Sequence, residues 1–321
     1  MAKVKSSKST GTSMLKGADL LTLASVTPKC VQELTKLALK IKKSPRLYKT
    51  VLEDRSCILL FEKPSLRTRL SFEVGINKLG GQCIYMDHSQ QRLGQRESVH
   101  DYAKNLERWI DCIIPRVFEH QTLVKMAAAS SVPVINALCD KHHPCQALAD
   151  VLTLTEHFGN LKGLTVAYVG DGNNVCHSLM HATVMSGANI VAITPKGFEP
   201  AAEFVQEAQV LAAGTGATVT VTNDLKRAAG ADAIYTDVWA SMGTSQDEAG
   251  RRMKLFGKYQ VNSDLMGIAA KKAVFMHCLP AHRGVEVTDA VLDGPQSVVY
   301  DQAENRMWAQ MALLTCLFKG V

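Results

Sequence analysis

Short apolar runs alternate with longer segments of helical spacing along most of this chain, and that alternation leaves few folds open. Pro28 to Lys43 reads as a helix, and the run Ser56–Phe61 reads as a buried strand. Two strand–helix units follow, then an expected strand at Val132–Ala137 and a helix at Gln146–Phe158. Gly159–Gly163 is a connector, after which a second series begins with a strand at Thr165–Val169, a turn, a helix to Ser186 and a strand at Asn189–Thr194. Later strands are expected at Ala217–Thr222, Ala233–Thr236 and Ala273–His277, with Asp301 capping a last helix. The pattern predicts an α/β fold of two domains, each a mostly parallel sheet flanked by helices, with the active site in the cleft between them. The expected limits are 14–150 and 151–300, following a tail over 1–13 expected to be disordered because it is rich in Lys, Ser and Thr and free of acids.

Composition narrows the function. The first fifty residues hold 11 Lys and Arg against two acids, a net of +9, whereas the whole chain of 321 residues carries +6. The basic excess is therefore N-terminal, and Tyr48 is the only aromatic beside it, which argues against a nucleic-acid groove. No apolar run approaches the roughly 18 residues that span a bilayer, so no membrane partner is expected. Nine cysteines, an odd number spread through apolar segments, fit a reducing compartment rather than a disulfide frame. The expected location is the cytoplasm, with the mitochondrial matrix or a plastid as the alternative.

The segment Ser65-Leu66-Arg67-Thr68-Arg69 lies where the first strand gives way to a helix with clear character over Leu70–Leu79. A helix start favours an anion, and arginine forks and hydroxyls add directed hydrogen bonds. The plain alternative is that Ser65 is an N-cap and the arginines are solvated. Cations are unfavourable at the positive end of the macrodipole, so two arginines there call for an anion such as a phosphate.

Further candidates also sit at the ends of expected strands. Gly170-Asp171-Gly172-Asn173-Asn174-Val175 resembles a dinucleotide turn but has Val175 in place of the third glycine, and no carboxylate follows Thr194 to hold a ribose. His143-Pro144-Cys145-Gln146 starts a helix, and its His and Gln, three apart, can donate to a carbonyl oxygen. A zinc site from Cys139, His142, His143 and Cys145 lacks paired CxxC spacing, and no metal is expected. Asp237 can face an ammonium, with Ser241, Met242 and Gly243 in the following loop. Cys278 in His277-Cys278-Leu279-Pro280 is either a base or nucleophile, or a structural thiol. Arg116 ends a strand, and Arg306 lies on the last helix.

Taken together, the motifs Ser-Leu-Arg-Thr-Arg at 65–69, His-Pro-Cys-Gln at 143–146, Gly-Asp-Gly-Asn-Asn at 170–174, Asp-Val-Trp-Ala-Ser-Met-Gly at 237–243, His-Cys-Leu-Pro at 277–280 and Ala-Glu-Asn-Arg at 303–306 resemble the transcarbamylases, and among them the ornithine branch. The resemblance implies a carbamoyl phosphate-binding first domain, joined by the C-terminal helix 301–321, and an ornithine-binding second domain. It implies that Ser65, Leu66, Arg67 and Thr68 hold phosphate, that Arg116, His143 and Gln146 hold the carbamoyl oxygen, and that Cys278, Leu279 and Arg306 complete that site. Asn174, Asp237, Ser241 and Met242 match ornithine-binding positions, with Cys278, Asp237, Arg116 and His143 carrying the chemistry. No cofactor is implied. A homotrimer is implied, in which the loop carrying Arg92 reaches the neighbouring subunit's phosphate site. Bacterial relatives usually have Gln at this position, and Arg92 is expected to contact that phosphate, the alternative being that it folds away to solvent. Other amine acceptors, such as putrescine or an acylated ornithine, and a non-catalytic member of the fold, are the alternatives.

Overall fold

β1 (Ser56–Phe61) is buried along five of its six residues, as a strand covered on both faces of a parallel sheet must be. In the computed structural model, which describes residues 11–240 and 246–320, the chain divides into two units, residues 1–152 with 304–321 and residues 153–303.

The first unit opens with helix α1 (Pro28–Lys43), where Pro28 fills the first turn and Thr27 accepts from the Cys30 N–H at 3.2 Å. After β1 come α2 (Leu66–Lys78), β2 (Gln82–Asp87), α3 (Val99–Leu106), β3 (Cys112–Arg116) and α4 (His120–Ala129). The three strands are parallel in the order β2-β1-β3, and Phe61 and Arg116 are in register at the ends of the central strand and of β3. Ile58, Leu60 and Ile113 pack against Ala103, Leu123 and Met126 from α3 and α4 to form the core. The chain enters the second unit within α5 (Pro144–Phe158).

The second unit contains β4 (Thr165–Val169), α6 (Asn174–Met185), β5 (Asn189–Ile193), α7 (Ala202–Ala213), β6 (Val219–Thr222) and β7 (Ala233–Thr236). It continues with α8 (Gln246–Phe256), α9 (Ser263–Ile268), β8 (Val274–His277) and α10 (Asp289–Leu292), and α11 (Val299–Lys319) carries the chain back to the first unit. Its five strands are all parallel, in the order β6-β5-β4-β7-β8. The order reverses beside β4, so the turns after β4 and β7 are neighbours, the usual place for a ligand in an open α/β sheet.

Three expectations need correction. Val132–Ala137 does not form a strand but runs beside β3 through isolated bridges from Ile113 to Val134 and from Arg116 to Leu138, while Ile135 is bridged to Leu20. Pro115 accepts from the Ala137 N–H yet has no N–H to return, which breaks the ladder. The last helix begins at Val299, so Asp301 lies in its first turn, 3.4 Å from His157, rather than at the cap. Of the tail expected over 1–13, residues 1–10 lie outside the described residues, and Thr12 and Ser13 belong to a 3-10 turn, Thr12–Leu15, held by Glu33, which accepts from the Thr12 N–H at 2.8 Å and from its hydroxyl at 3.1 Å.

Candidate functional site

Two constellations lie at the C-terminal ends of the parallel strands, one in each unit. In the first, Ser65 caps α2, its hydroxyl accepting from the Thr68 N–H at 3.3 Å. Leu66 and Arg67 follow in the first turn, where backbone N–H groups favour an anion. The Leu66 side chain is exposed, so a contribution from this position comes through the backbone. Arg69 turns elsewhere. Its Nε donates to Glu73 at 3.0 Å and its guanidinium lies 3.8 Å from the Tyr85 ring centre.

Thr68 is buried, and its hydroxyl oxygen receives two guanidiniums, Arg306 at 3.1 Å and Arg116 at 3.4 Å. Arg306 also donates to Gln146 Oε1 at 2.6 Å, and Gln146 donates onward to the buried Asp150 at 2.8 Å. Gln146 thus holds Arg306 in place. Burial, and then the charges of Arg306 and Arg116, push the His143 pKa well below the ordinary 6.5, so the imidazole is neutral at physiological pH. Above pH 6.5 neither folded nor unfolded His143 binds a proton, and below it only the unfolded chain does, so acid weakens the folded unit progressively toward the folded pKa.

Sequence reasoning missed Glu62. It is buried directly after β1 and accepts from the Leu93 N–H at 2.9 Å and the Phe118 N–H at 2.8 Å. It therefore fixes both the loop that carries Arg92 and the chain just beyond Arg116. The guanidinium of Arg92 lies 4.0 Å from the Phe118 ring centre and the Lys63 ammonium 4.3 Å from it, so one ring serves two cations. Burial and the nearby Arg116 lower the Lys63 pKa, with Asp140 opposing them.

In the second unit, Asn173 caps α6, and its side-chain oxygen accepts from the N–H groups of Val175 at 2.9 Å and Cys176 at 3.2 Å. Its amide donates to Asp237 Oδ2 at 2.8 Å, and the Cys278 thiol donates to Asp237 Oδ1 at 2.9 Å. One carboxylate therefore joins the turn after β4, the end of β7 and the end of β8. Gly172 permits this turn, because a Cβ there would overlap the backbone of Glu199 and Pro200. Asn174 opens α6 beside Asn173. Leu279 takes the left-handed region at φ 57°, where its N–H donates to His277 Nδ1 at 2.9 Å. The expected positions Ser241 and Met242 lie outside the described residues.

Among the described residues, Asp237, His277 and Cys278 form the one group of potential metal ligands, with donor atoms within 4.8 Å of one another. The donor set fits an ion poorly. His277 Nδ1 accepts from Leu279, which makes Nε2 the N–H that donates to the buried Glu286 at 3.2 Å, and both ring nitrogens are thereby engaged.

Comparison with known proteins bears on both halves. Residues 18–156 match the family model described as the aspartate/ornithine carbamoyltransferase carbamoyl-P binding domain, and residues 162–317 match its Asp/Orn binding domain. The chain is 51% identical over 298 residues to the ornithine carbamoyltransferase of Shewanella oneidensis, covering 93% of this chain and 98% of that one. It is 47% identical over 310 residues to the ornithine carbamoyltransferase of Pyrococcus horikoshii, covering 96% and 98%. The solved ornithine carbamoyltransferase of Pyrococcus furiosus superposes with a TM-score of 0.92 at 44% identity, covering 96% of this chain and 99% of that one.

The electrostatics of His143 can be tested directly. Its imidazole nitrogens, followed by NMR in the protein without substrate, are expected to keep neutral-ring shifts from about pH 8 down to about pH 5.5, since a value well below 6.5 leaves the ring unprotonated there. A titration midpoint near 6.5 would show that neither burial nor the guanidiniums act on it.

Proposed function

The chain belongs to the aspartate/ornithine carbamoyltransferase family, and from that premise we propose how its residues share the reaction. The enzyme transfers the carbamoyl group of carbamoyl phosphate to ornithine, giving citrulline and phosphate. The observation that carries the assignment of residues is the Thr68 hydroxyl with Arg116 and Arg306 upon it, beside a neutral His143.

The phosphate of carbamoyl phosphate is held at the start of α2 by Ser65, Arg67, Thr68 and the backbone of Leu66. Arg116 and His143 direct donors at the carbamoyl oxygen. When the δ-amine of ornithine attacks the carbamoyl carbon, that oxygen becomes an anion, and each preorganised donor is worth about 3 kcal/mol in comparable sites. Neutrality suits His143 to this task, because it supplies an N–H without adding a third full charge to the two guanidiniums. Gln146 steadies Arg306, which shares the leaving phosphate's charge with Arg67, and Leu279 lines the site beside Cys278.

Ornithine is held by Asn174 and Asp237, with Ser241 and Met242 from the following loop. An alkyl ammonium has a pKa of about 10, so the amine must lose a proton before it can attack. Cys278 takes that proton as the thiolate, formed once its own proton has left to solvent, and becomes the thiol. The contact between its sulfur and Asp237 supports the assignment by placing the sulfur beside the group that orients the ammonium. Asp237 also favours a cationic acceptor over a second carboxylate. No cofactor or metal takes part in this reading.

We place the enzyme in the cytoplasm as a homotrimer. No described helix is long and apolar enough to cross a membrane, and relatives from a bacterium and an archaeon accord with the location. In the trimer, Arg92 swings from Phe118 to the phosphate bound by a neighbouring subunit.

A citrulline assay tests the reading. Carbamoyl phosphate with L-ornithine should give citrulline and equimolar phosphate, whereas putrescine and N-acetylornithine should turn over far more slowly. Preference for either of those would move the enzyme to another acceptor class. Cys278→Ala should lower kcat by about 100-fold or more, the usual contribution of a general base, and shift the basic limb of the pH–rate profile. An unchanged rate and profile would remove the role. Arg92→Ala should raise the KM for carbamoyl phosphate about tenfold, as loss of one charge-assisted contact implies, with little change for ornithine. Unchanged affinity, or a native mass equal to one chain, would reject the contact across subunits.

A further inference from the structure

Arg252 lies on α8, outside every motif that suggests the function, yet its guanidinium joins two segments of the ornithine half-site. Through Nη1 it donates to Asp171 Oδ2 at 2.6 Å and to the Trp239 carbonyl at 2.9 Å. Asp171 belongs to the turn that continues into Asn173 and Asn174, and Trp239 stands two residues beyond Asp237. The guanidinium also lies 4.9 Å from the Phe198 ring centre. Phe198 in turn accepts from the Gly172 N–H through its carbonyl at 2.9 Å and packs edge-on against Phe256 at 4.9 Å. Trp239 lies against the other side of this group, 5.7 Å from Phe256.

This connection has a physical consequence. Among the described residues, the same segments are also tied by the hydrogen bond from the Asn173 amide to Asp237. That bond needs the turn and the end of β7 at a fixed separation, within the few tenths of an ångström a hydrogen bond tolerates. The Arg252–Asp171 pair is mostly shielded, with the two side chains 21% and 18% exposed, so solvent and salt weaken it less than an open surface pair. A guanidinium has a planar fork of donors that can serve a carboxylate and a carbonyl together, which a lysine ammonium on a flexible stem does less well.

We propose that Arg252 is a positioning residue for ornithine. It touches no substrate, and it sets the spacing between the Asn173–Asn174 turn and Asp237, so that the groups meant for the amino acid meet it already in place. The inference rests on the functional reading above. It places the cost of losing Arg252 on ornithine binding, since carbamoyl phosphate contacts none of these segments in that reading.

Steady-state kinetics and hydrogen exchange test the two parts separately. Arg252→Gln should raise the KM for ornithine about tenfold while kcat changes less than threefold and the KM for carbamoyl phosphate stays unchanged. Arg252→Lys should recover only part of that loss. Asp171→Asn should reproduce the defect, and the double variant should be no worse than the more impaired single one, because both remove the same tie. In the protein without any substrate, the amides of Gly172 to Val175 should exchange faster in Arg252→Gln than in wild type, while those of β4 stay protected. This readout does not depend on which reaction the enzyme performs. If wild type forms no citrulline, the functional reading fails and the ornithine part of the inference goes with it. If wild type is active but the ornithine KM is unchanged in both single variants, or both substrates and kcat suffer alike, the positioning role is wrong. Unchanged exchange over Gly172 to Val175 would equally overturn it. Should Arg252→Gln fold poorly, Asp171→Asn, which keeps the shape of the side chain, carries the same tests.

Discussion

A single buried hydroxyl, that of Thr68, receives two guanidiniums, and the first half-site is built around this arrangement. Two like charges brought to one neutral oxygen repel each other, and burial keeps water from screening them. The fold meets that cost in three ways. Asp150, buried behind Gln146, accepts from its amide and so turns the Gln146 oxygen toward the Arg306 guanidinium. His143 stays neutral, so no third cation is added. The remaining imbalance of positive charge favours an anion beside Thr68.

The second half-site uses the opposite sign and the same economy. One carboxylate, Asp237, receives the Asn173 amide and the Cys278 thiol, so three strand ends are tied to one group. Parallel strands make both arrangements possible. Their C-terminal ends lie side by side, and residues far apart in sequence, such as Phe61 and Arg116, arrive in register without a dedicated loop. Glu62 and Arg252 then secure the flanking segments, the first by accepting from two backbone amides and the second by donating to two oxygens.

Much of this was legible in the residues. The apolar run of β1, the cap at Ser65 and the polar turn at Asn173 are local signals, and local chemistry governs them. Pairing between distant segments was not legible. Arg69 looks like a ligand for an anion until β2 brings Tyr85 beneath it. Val132–Ala137 has the composition of a strand, but its pairing depends on Pro115, which lies in another segment and cannot donate. Arg252 reaches Asp171 across 81 residues, and no spacing within α8 marks it. The neutrality of His143 depends on burial and on two arginines far from it in the chain, neither of which a motif records.

The order in which the chain is made gives the last helix a temporal meaning. Arg306 meets Gln146 across 160 residues and Thr68 across 238, and it lies close to the end of the polypeptide. A growing chain therefore displays Ser65–Thr68 and Gln146 long before the guanidinium that joins them has been translated. Until then the Thr68 hydroxyl has one of its two guanidiniums, that of Arg116. The last helix to be made, α11, thus closes an arrangement whose other members were laid down in the first half of the chain.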